Sequence, residues 1–440
     1  MHPKGRSSRR TFLALTSGAI AAGGARGPRP GPRADQLAML GGEKAVGRPM
    51  PRPVRFGEPE RERLEEMLGQ ESLLYWKGPQ TTLLIERFQG VCPLEYVQTC
   101  SSGSAAIHIA VMAAGIGLGD EVITSPVTDI GTVIGVLYQQ GVPVFADLLP
   151  NSYNLDPEDV ARKISPRTKA IIAVHLGGNP CETEALRLLA DEHGLILIED
   201  CAQAWGAIDR GKPIGTTGHI ACFSLQNSKH VTCGDGGVVA SSDDRFGPLL
   251  QPLGDKGMPR AGGDGLFHRF APNYRMSEPQ AAVAAGQLTR LDGIASTRSR
   301  LGDLLSEEIA GVPGIEPHDV ATGSRCVYWF YMFRLRPDAF TCDRREFVRA
   351  LAAEGVPASA GYIPVPLYGN PIFREHAFFA GRWPVKEMGL TDMDYASVSC
   401  PEAEAILGDG VRLVINEAMD EAWIRDVAAA IRKVSAHFSA

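Results

Sequence analysis

From Tyr96 onward the chain alternates short apolar runs with longer amphipathic stretches. EVITSPV (121–127), PVFADL (143–148), AIIAVHL (170–176), LILIED (195–200), IACFSL (220–225) and GGVVAS (236–241) read as strands. Several are apolar on both faces, as in a parallel sheet covered by helices. Between them GTVIGVLYQQG, DPEDVARKI and TEALRLLADEHG carry the spacing of helices. Asp156-Pro157 reads as a cap followed by a first-turn proline, and Gly194 as a helix stop after His193. Strand alternating with helix predicts an α/β fold with a mostly parallel sheet. The last two strands could also pair antiparallel, and strand order is not readable.

After Leu291 the texture changes. LDGIASTRSRLGDLLSEEIAG is a long amphipathic helix, YWFYMFRLRP a strand candidate, DRREFVRALAAEG a capped helix and AWIRDVAAAIRKVSAHF a closing helix. This predicts a second, smaller α+β domain over 291–440, set against a large domain with an N-terminal arm over 35–290.

The first 34 residues follow neither pattern. Lys4, Arg6, Arg9 and Arg10 precede a mildly apolar stretch from Thr11 to Ala25, and a segment rich in Pro, Arg and Gly follows. That is the layout of a signal peptide, and Ser8-Arg9-Arg10-Thr11-Phe12-Leu13 resembles the twin-arginine export motif. A disordered basic tail is the alternative. The expectation is export to the periplasm or beyond, with a cytoplasmic location as the alternative. No apolar run is long enough for a mature membrane-spanning helix, so no stable membrane anchor is expected.

Composition narrows the rest. Of 440 residues 44% are hydrophobic and 22% charged, enough for a sizeable core. A net charge of −7 argues against a general binder of nucleic acid or anionic membranes. The nine cysteines form no C-x-x-C pair, so free, mostly buried thiols are expected, with no zinc ribbon and no metal site.

Ligands in open α/β sheets gather at the C-terminal ends of the strands. Ser101, Ser102, Gly103 and Ser104 open a nearly all-apolar helix; they suit a phosphate, or serve only as its N-cap. Asp200 ends LILIED, where its carboxylate either meets a cation or caps the next helix, and Gln203 follows three residues on. Ser224 and Lys229 lie at and beyond the end of the next strand; a loop lysine is by itself an ordinary solvated side chain. Together they fit pyridoxal 5'-phosphate, which needs an anchor for its phosphate, an anion for its pyridine nitrogen and an amine for a Schiff base. Lys229 would be that amine, its pKa lowered, and the following GDGG would let the backbone turn tightly beside the ring.

LIEDCAQAWGA (197–207), GTTGHIACFSLQNSKHVTCGDGG (215–237) and NYRMSEPQAA (273–282) resemble the DegT/StrS family of sugar aminotransferases. PVFADLLPNSYNLDP and ISPRTKAIIAVHLGGNP match it as well. The resemblance implies the pyridoxal-phosphate-dependent transferase fold of type I, a dimer of chains each with a large cofactor domain and a small C-terminal one. It implies that Lys229 tethers the cofactor and moves the substrate proton, Asp200 pairs with the ring nitrogen, and Gln203 lies by the ring hydroxyl. Gly103, Ser104 and Ser224 would hold the phosphate. Asn273, which alone reads as a turn residue, would reach the phosphate of the neighbouring subunit in a homodimer with shared sites. The implied reaction is amination of a keto sugar, nucleotide-linked, or of a related cyclitol ketone, with glutamate or glutamine as donor. Two alternatives are a sugar dehydratase of the same fold and a non-catalytic binding or regulatory protein. Such dehydratases carry histidine in place of the lysine, and His230 is one residue out of register. Two departures stand out: Asp129 follows Thr128 where the family places an aromatic residue over the ring, and Trp205 replaces a common histidine.

Overall fold

The computed structural model describes residues 35–440 apart from 261 and 263, so the expected export signal lies outside the described residues. An N-terminal arm leads into helices α1 (Glu58–Leu68) and α2 (Pro79–Val91). The central strands are β1 (Tyr96–Cys100), β2 (Glu121–Thr124), β3 (Val142–Phe145), β4 (Thr168–Val174) and β5 (Ile196–Asp200). A short hairpin of β6 (Ile208–Asp209) and β7 (Lys212–Pro213) precedes β8 (Ile220–Ser224) and β9 (Gly237–Ser241). They form a seven-stranded sheet of order β1-β9-β8-β5-β4-β2-β3. The pairs β3-β2-β4-β5-β8 are parallel, and β9 runs antiparallel to both β8 and β1. Six of seven strands therefore point one way, and the ends of β1, β2, β5 and β8 share one edge.

The helices on this sheet are α3 (Gly103–Ala113), α4 (Gly131–Tyr138), α5 (Pro157–Lys163), α6 (Thr183–His193), α7 (Gly247–Gly254) and α8 (Glu278–Leu288). Asp156 caps α5 by accepting from the Glu158 amide at 2.9 Å, with Pro157 in the first turn, and Gly194 closes α6 at φ 65°. The α3 helix is apolar nearly all round because it is covered all round, by the sheet and by α4 and α7. Strand β4 ends at Val174, two residues before its apolar run does, because Gly177 and Gly178 turn the chain with φ 66° and 92°.

Beyond the long α9 (Leu291–Ile309) come β10 (Ile315–Glu316), β11 (Tyr331–Leu335), α10 (Arg344–Ala353) and β12 (Ala358–Ala360). Two single turns, α11 (Pro371–Arg374) and α12 (Pro384–Glu387), precede α13 (Pro401–Asp409), β13 (Gly410–Leu413) and α14 (Glu421–Phe438). The four strands make an antiparallel sheet of order β10-β11-β13-β12. Its core joins Leu305, Tyr331, Phe347 and Trp423. The start of the arm packs there too, through Leu37 and Val46, not against the large sheet. Buried Glu354 fixes it, accepting from the amides of Ala38 and Ala45 and from Lys433 Nζ. All nine cysteines are free and seven are buried. No helix among the described residues is long and apolar enough to cross a membrane.

Candidate active site

A cavity of about 340 Å³ opens where the strand ends meet the small domain. Of the seven candidate residues, Gly103, Ser104, Asp200, Gln203, Ser224 and Lys229 line it. Asn273 does not. It is exposed, in a stretch paired with Asp255, and its side chain accepts from the Arg275 amide at 3.5 Å.

One end of the cavity is shaped for an anion. Ser102 caps α3 with its hydroxyl, accepting from the Ala105 amide at 3.0 Å. The amides of Gly103 and Ser104 have no acceptor among the described residues, as expected at a helix start, and both residues line the cavity. Two glycines keep this corner tight. A Cβ on Gly103 would stand 2.6 Å from Ser224 Cβ, and one on Gly131 would stand 2.5 Å from Ser104 Oγ. Trp205, wholly buried between Phe88 and Phe223, donates its indole N–H to the Ser224 carbonyl at 2.7 Å. The unusual tryptophan is therefore no part of the cavity wall; it fixes the strand end that carries Ser224.

Asp200 lies at the end of β5 with 6% of its surface exposed. One carboxylate oxygen accepts from the Ala202 amide at 3.1 Å and the other from Thr132 Oγ1 at 2.8 Å. Thr132 is steadied by Thr128 at 2.8 Å. Burial pushes the Asp200 pKa up, and the hydrogen bonds and Lys229 only partly oppose it. Among the described residues no cation comes within ion-pair distance, so this carboxylate is ready for a buried positive group.

Lys229, 8% exposed, follows β8 on a loop. Its Nζ has no acceptor among the described residues and sits 4.0 Å from the centre of the Trp329 ring. Burial lowers its pKa, while Asp200 and Asp129 pull the other way. A desolvated amine of this kind is more nucleophilic at neutral pH than an exposed lysine. Gln203 spans the domains: its Oε1 accepts from the Gly177 amide at 2.7 Å and its Nε2 donates to Tyr362 Oη at 3.3 Å. Asp129 lines the mouth, exposed, and accepts from the Gly131 amide at 2.8 Å. Just below, buried Glu199 accepts from the amides of Gly215, Thr217 and Gly218 and from His175 Nε2. With Cys201 this is a compact cluster of possible metal donors, but Glu199 is already saturated with protein donors and His175 Nδ1 accepts from the Cys181 amide.

The sequence reading missed Thr132, Trp329 and Tyr362. Thr132 was within reach, as a hydroxyl in the first turn of the helix that follows β2. Trp329 and Tyr362 come from the small domain and meet the cavity only in the folded chain.

An anion nest and, in no ion pair among the described residues, a buried carboxylate and a buried amine are the three groups that pyridoxal phosphate requires, and the residues present fit it. Fold and site together define the class: a pyridoxal-phosphate-dependent transferase fold of type I. The comparisons narrow it further. The DegT/DnrJ/EryC1/StrS aminotransferase family model matches residues 55–432, and the chain belongs to that family. It is 31% identical over 381 residues to a putative L-glutamine:3-amino-2,3-dideoxy-scyllo-inosose aminotransferase from Micromonospora echinospora, covering 85% of this chain and 90% of that one. It is 33% identical to the GDP-perosamine synthase of Caulobacter vibrioides, over 79% of this chain and 88% of that one. The crystal structure of S. venezuelae DesV aligns with a TM-score of 0.74 at 30% identity, over 86% of this chain and 94% of that one.

Proposed function

We propose that the protein uses pyridoxal phosphate to transfer an amino group from glutamate or glutamine to the keto group of a sugar or cyclitol. The observation that carries this is the buried amine of Lys229 and the buried carboxylate of Asp200 lining one cavity, neither of them in an ion pair among the described residues. The names of the relatives above support the choice of acceptor, a sugar in one and a cyclitol in the other.

When bound, the cofactor supplies an electron sink and a carrier for the amino group. Gly103 and Ser104, through their amides, and Ser224, through its hydroxyl, would hold the phosphate. Asp200 keeps a proton on the ring nitrogen, an interaction strengthened by its dry surroundings. Thr132 and the Ala202 amide fix that carboxylate's orientation. The Lys229 amine would be the cofactor's covalent anchor and would move the proton at the substrate carbon that changes from ketone to amine. The dehydratase alternative needs an imidazole in the lysine's place. His230 cannot fill it: it is buried outside the cavity wall, with Nε2 held by the Val327 carbonyl at 2.9 Å.

The test is product analysis. The loaded enzyme is given glutamate or glutamine and a panel of keto sugars, nucleotide-linked and free, and keto cyclitols. An amino product from one of them is expected; no amine from any acceptor, with the cofactor bound, would refute the reading.

Two further parts of the reading concern assembly and place. In a homodimer, Asn273 of one chain completes the phosphate site of the other. Lys229→Ala and Asn273→Asp homodimers are then each inactive, and exchange of subunits between them restores activity; verified heterodimers that stay inactive would refute sharing. The support for export is Arg9-Arg10 with Thr11-Phe12-Leu13. Changing both arginines to lysine should retain the protein in the cytoplasm, and unchanged export would end that reading.

A further inference from the structure

The loop that carries Lys229 is gripped from outside by the N-terminal arm and by the small domain. Three successive carbonyls, those of Asn227, Ser228 and Lys229, each accept from a side chain distant in sequence. The Arg55 guanidinium donates to Lys229 O at 2.5 Å and to Asn227 O at 3.2 Å. Trp329 donates its indole N–H to Ser228 O at 2.7 Å.

Arg55 is an unusual donor for this task. It is half-buried, and no carboxylate lies within ion-pair distance of it among the described residues. Burial without a counter-ion is unfavourable for a guanidinium, and its pKa is lowered accordingly. The carbonyls of the lysine loop are what its NH2 group is spent on. Charge-assisted hydrogen bonds to carbonyl dipoles are stronger than neutral ones, and the planar guanidinium fixes direction as well as distance.

The root of Arg55 is also fixed. Its own carbonyl accepts from Gln287 Nε2 and from Arg290 NH2, each at 2.6 Å. Both donors also bind Glu60, a buried carboxylate near the start of α1. Gln287 in turn accepts from the Thr232 amide at 3.3 Å, three residues past Lys229. One anchor on α8 thus holds the arm and the far side of the lysine loop together.

We propose that Arg55 is a positioning residue for Lys229, fixing the backbone from which the reactive amine reaches into the cavity. A lysine stem is flexible, so the amine is only as well placed as its root. The role rests on the reading of Lys229 as the cofactor-bearing amine, but the grip on the loop can be measured without it.

The experiment compares Arg55→Ala and Arg55→Lys with wild type, all full-length. Hydrogen exchange is followed in protein without added cofactor, and kinetics in loaded enzyme. In Arg55→Ala, exchange of the peptide spanning residues 226–233 should accelerate about tenfold or more, while peptides of α3 and β5 keep their protection. In loaded enzyme kcat should fall about tenfold with KM for the keto substrate little changed, because the root of the reacting group is loosened and not the substrate contacts. Arg55→Lys should recover part of both, since one ammonium can reach one of the two carbonyls. Unchanged exchange in the loop would overturn the proposal. So would general loss of protection in Arg55→Ala together with full recovery of kcat in a variant whose loop stays loose. A wild type that transaminates nothing would refute the proposed function and leave the exchange result to decide the grip.

Discussion

The floor and the rim of the cavity come from different parts of the chain. The floor is built by strand ends: Gly103 and Ser104 after β1, Asp200 closing β5, Ser224 closing β8 and Lys229 just beyond. The sheet register sets Asp200 beside Cys222, and Ser224 beside Gly237, so these groups hold their spacing with little help from loops. The rim is assembled from Asp129 before α4, Asp235 before β9, and Trp329 and Tyr362 from the small domain. Six of the seven residues that the sequence resemblance singled out line the cavity, most of them on the floor, whereas Asp129, the expected departure from that resemblance, lies on the rim. If the proposed function holds, the contrast assigns the chemistry to the sheet and the choice of substrate to what the loops and second domain bring over it. Substitutions in the floor should then slow every substrate by a similar factor, and substitutions in the rim should change the ratio between substrates.

The largest expected effect is at Lys229. Lys229→Ala should lower kcat by more than about a thousandfold with every acceptor, measured as amino product formed. The same position offers a reverse effect on stability. In protein without cofactor, Lys229→Met should raise thermal stability by about 1 kcal/mol, because it removes a buried amine that has no hydrogen-bond acceptor or counter-ion among the described residues, only the face of Trp329. A melting curve that falls instead would mean that the contact with Trp329 outweighs the cost of burying the amine.

Asp200→Asn should cost several kcal/mol of transition-state stabilisation, about 10²–10³-fold in kcat, while cofactor still binds. A loss confined to one acceptor would break the division between floor and rim. Gly103→Ala should weaken cofactor binding by about 1–3 kcal/mol, since the new Cβ must displace Ser224, whose Cβ would lie only 2.6 Å away. Titration followed by absorbance checks it.

Smallest is the effect of Asp129→Asn. The amide can still accept from the Gly131 N–H, but the charge is gone. Asp129 raises the Lys229 pKa against the lowering by burial. Removing it lowers that pKa, so the neutral amine persists to lower pH and the acid limb of the rate profile moves to lower pH. Movement toward higher pH would contradict the charge relation. Asp129→Phe should alter the relative rates with different keto acceptors more than it alters the shared maximum.

What could be read from the sequence follows the same division. The apolar runs located six of the seven strands of the large sheet, and the order of nest, acid and lysine showed the floor, because each member sits where a strand ends. Thr132 was hidden only by its ordinary residue type; its importance comes from a hydroxyl pointed at Asp200. Trp329 and Tyr362 could not be placed, as they reach the cavity from a hundred residues or more beyond Lys229, Trp329 from a run that reads simply as a strand. Arg55 carried no signal, since its partners are backbone carbonyls that any residue would offer. Trp205 was visible as a departure, but its part in holding the Ser224 carbonyl needed the packing of Phe88 and Phe223 around it.

The most direct measurement is borohydride reduction of the wild-type protein loaded with pyridoxal phosphate, followed by peptide mapping. The account predicts one stable cofactor adduct, on the peptide containing Lys229. An adduct on a different lysine, or none on a protein shown to hold the cofactor, would contradict it.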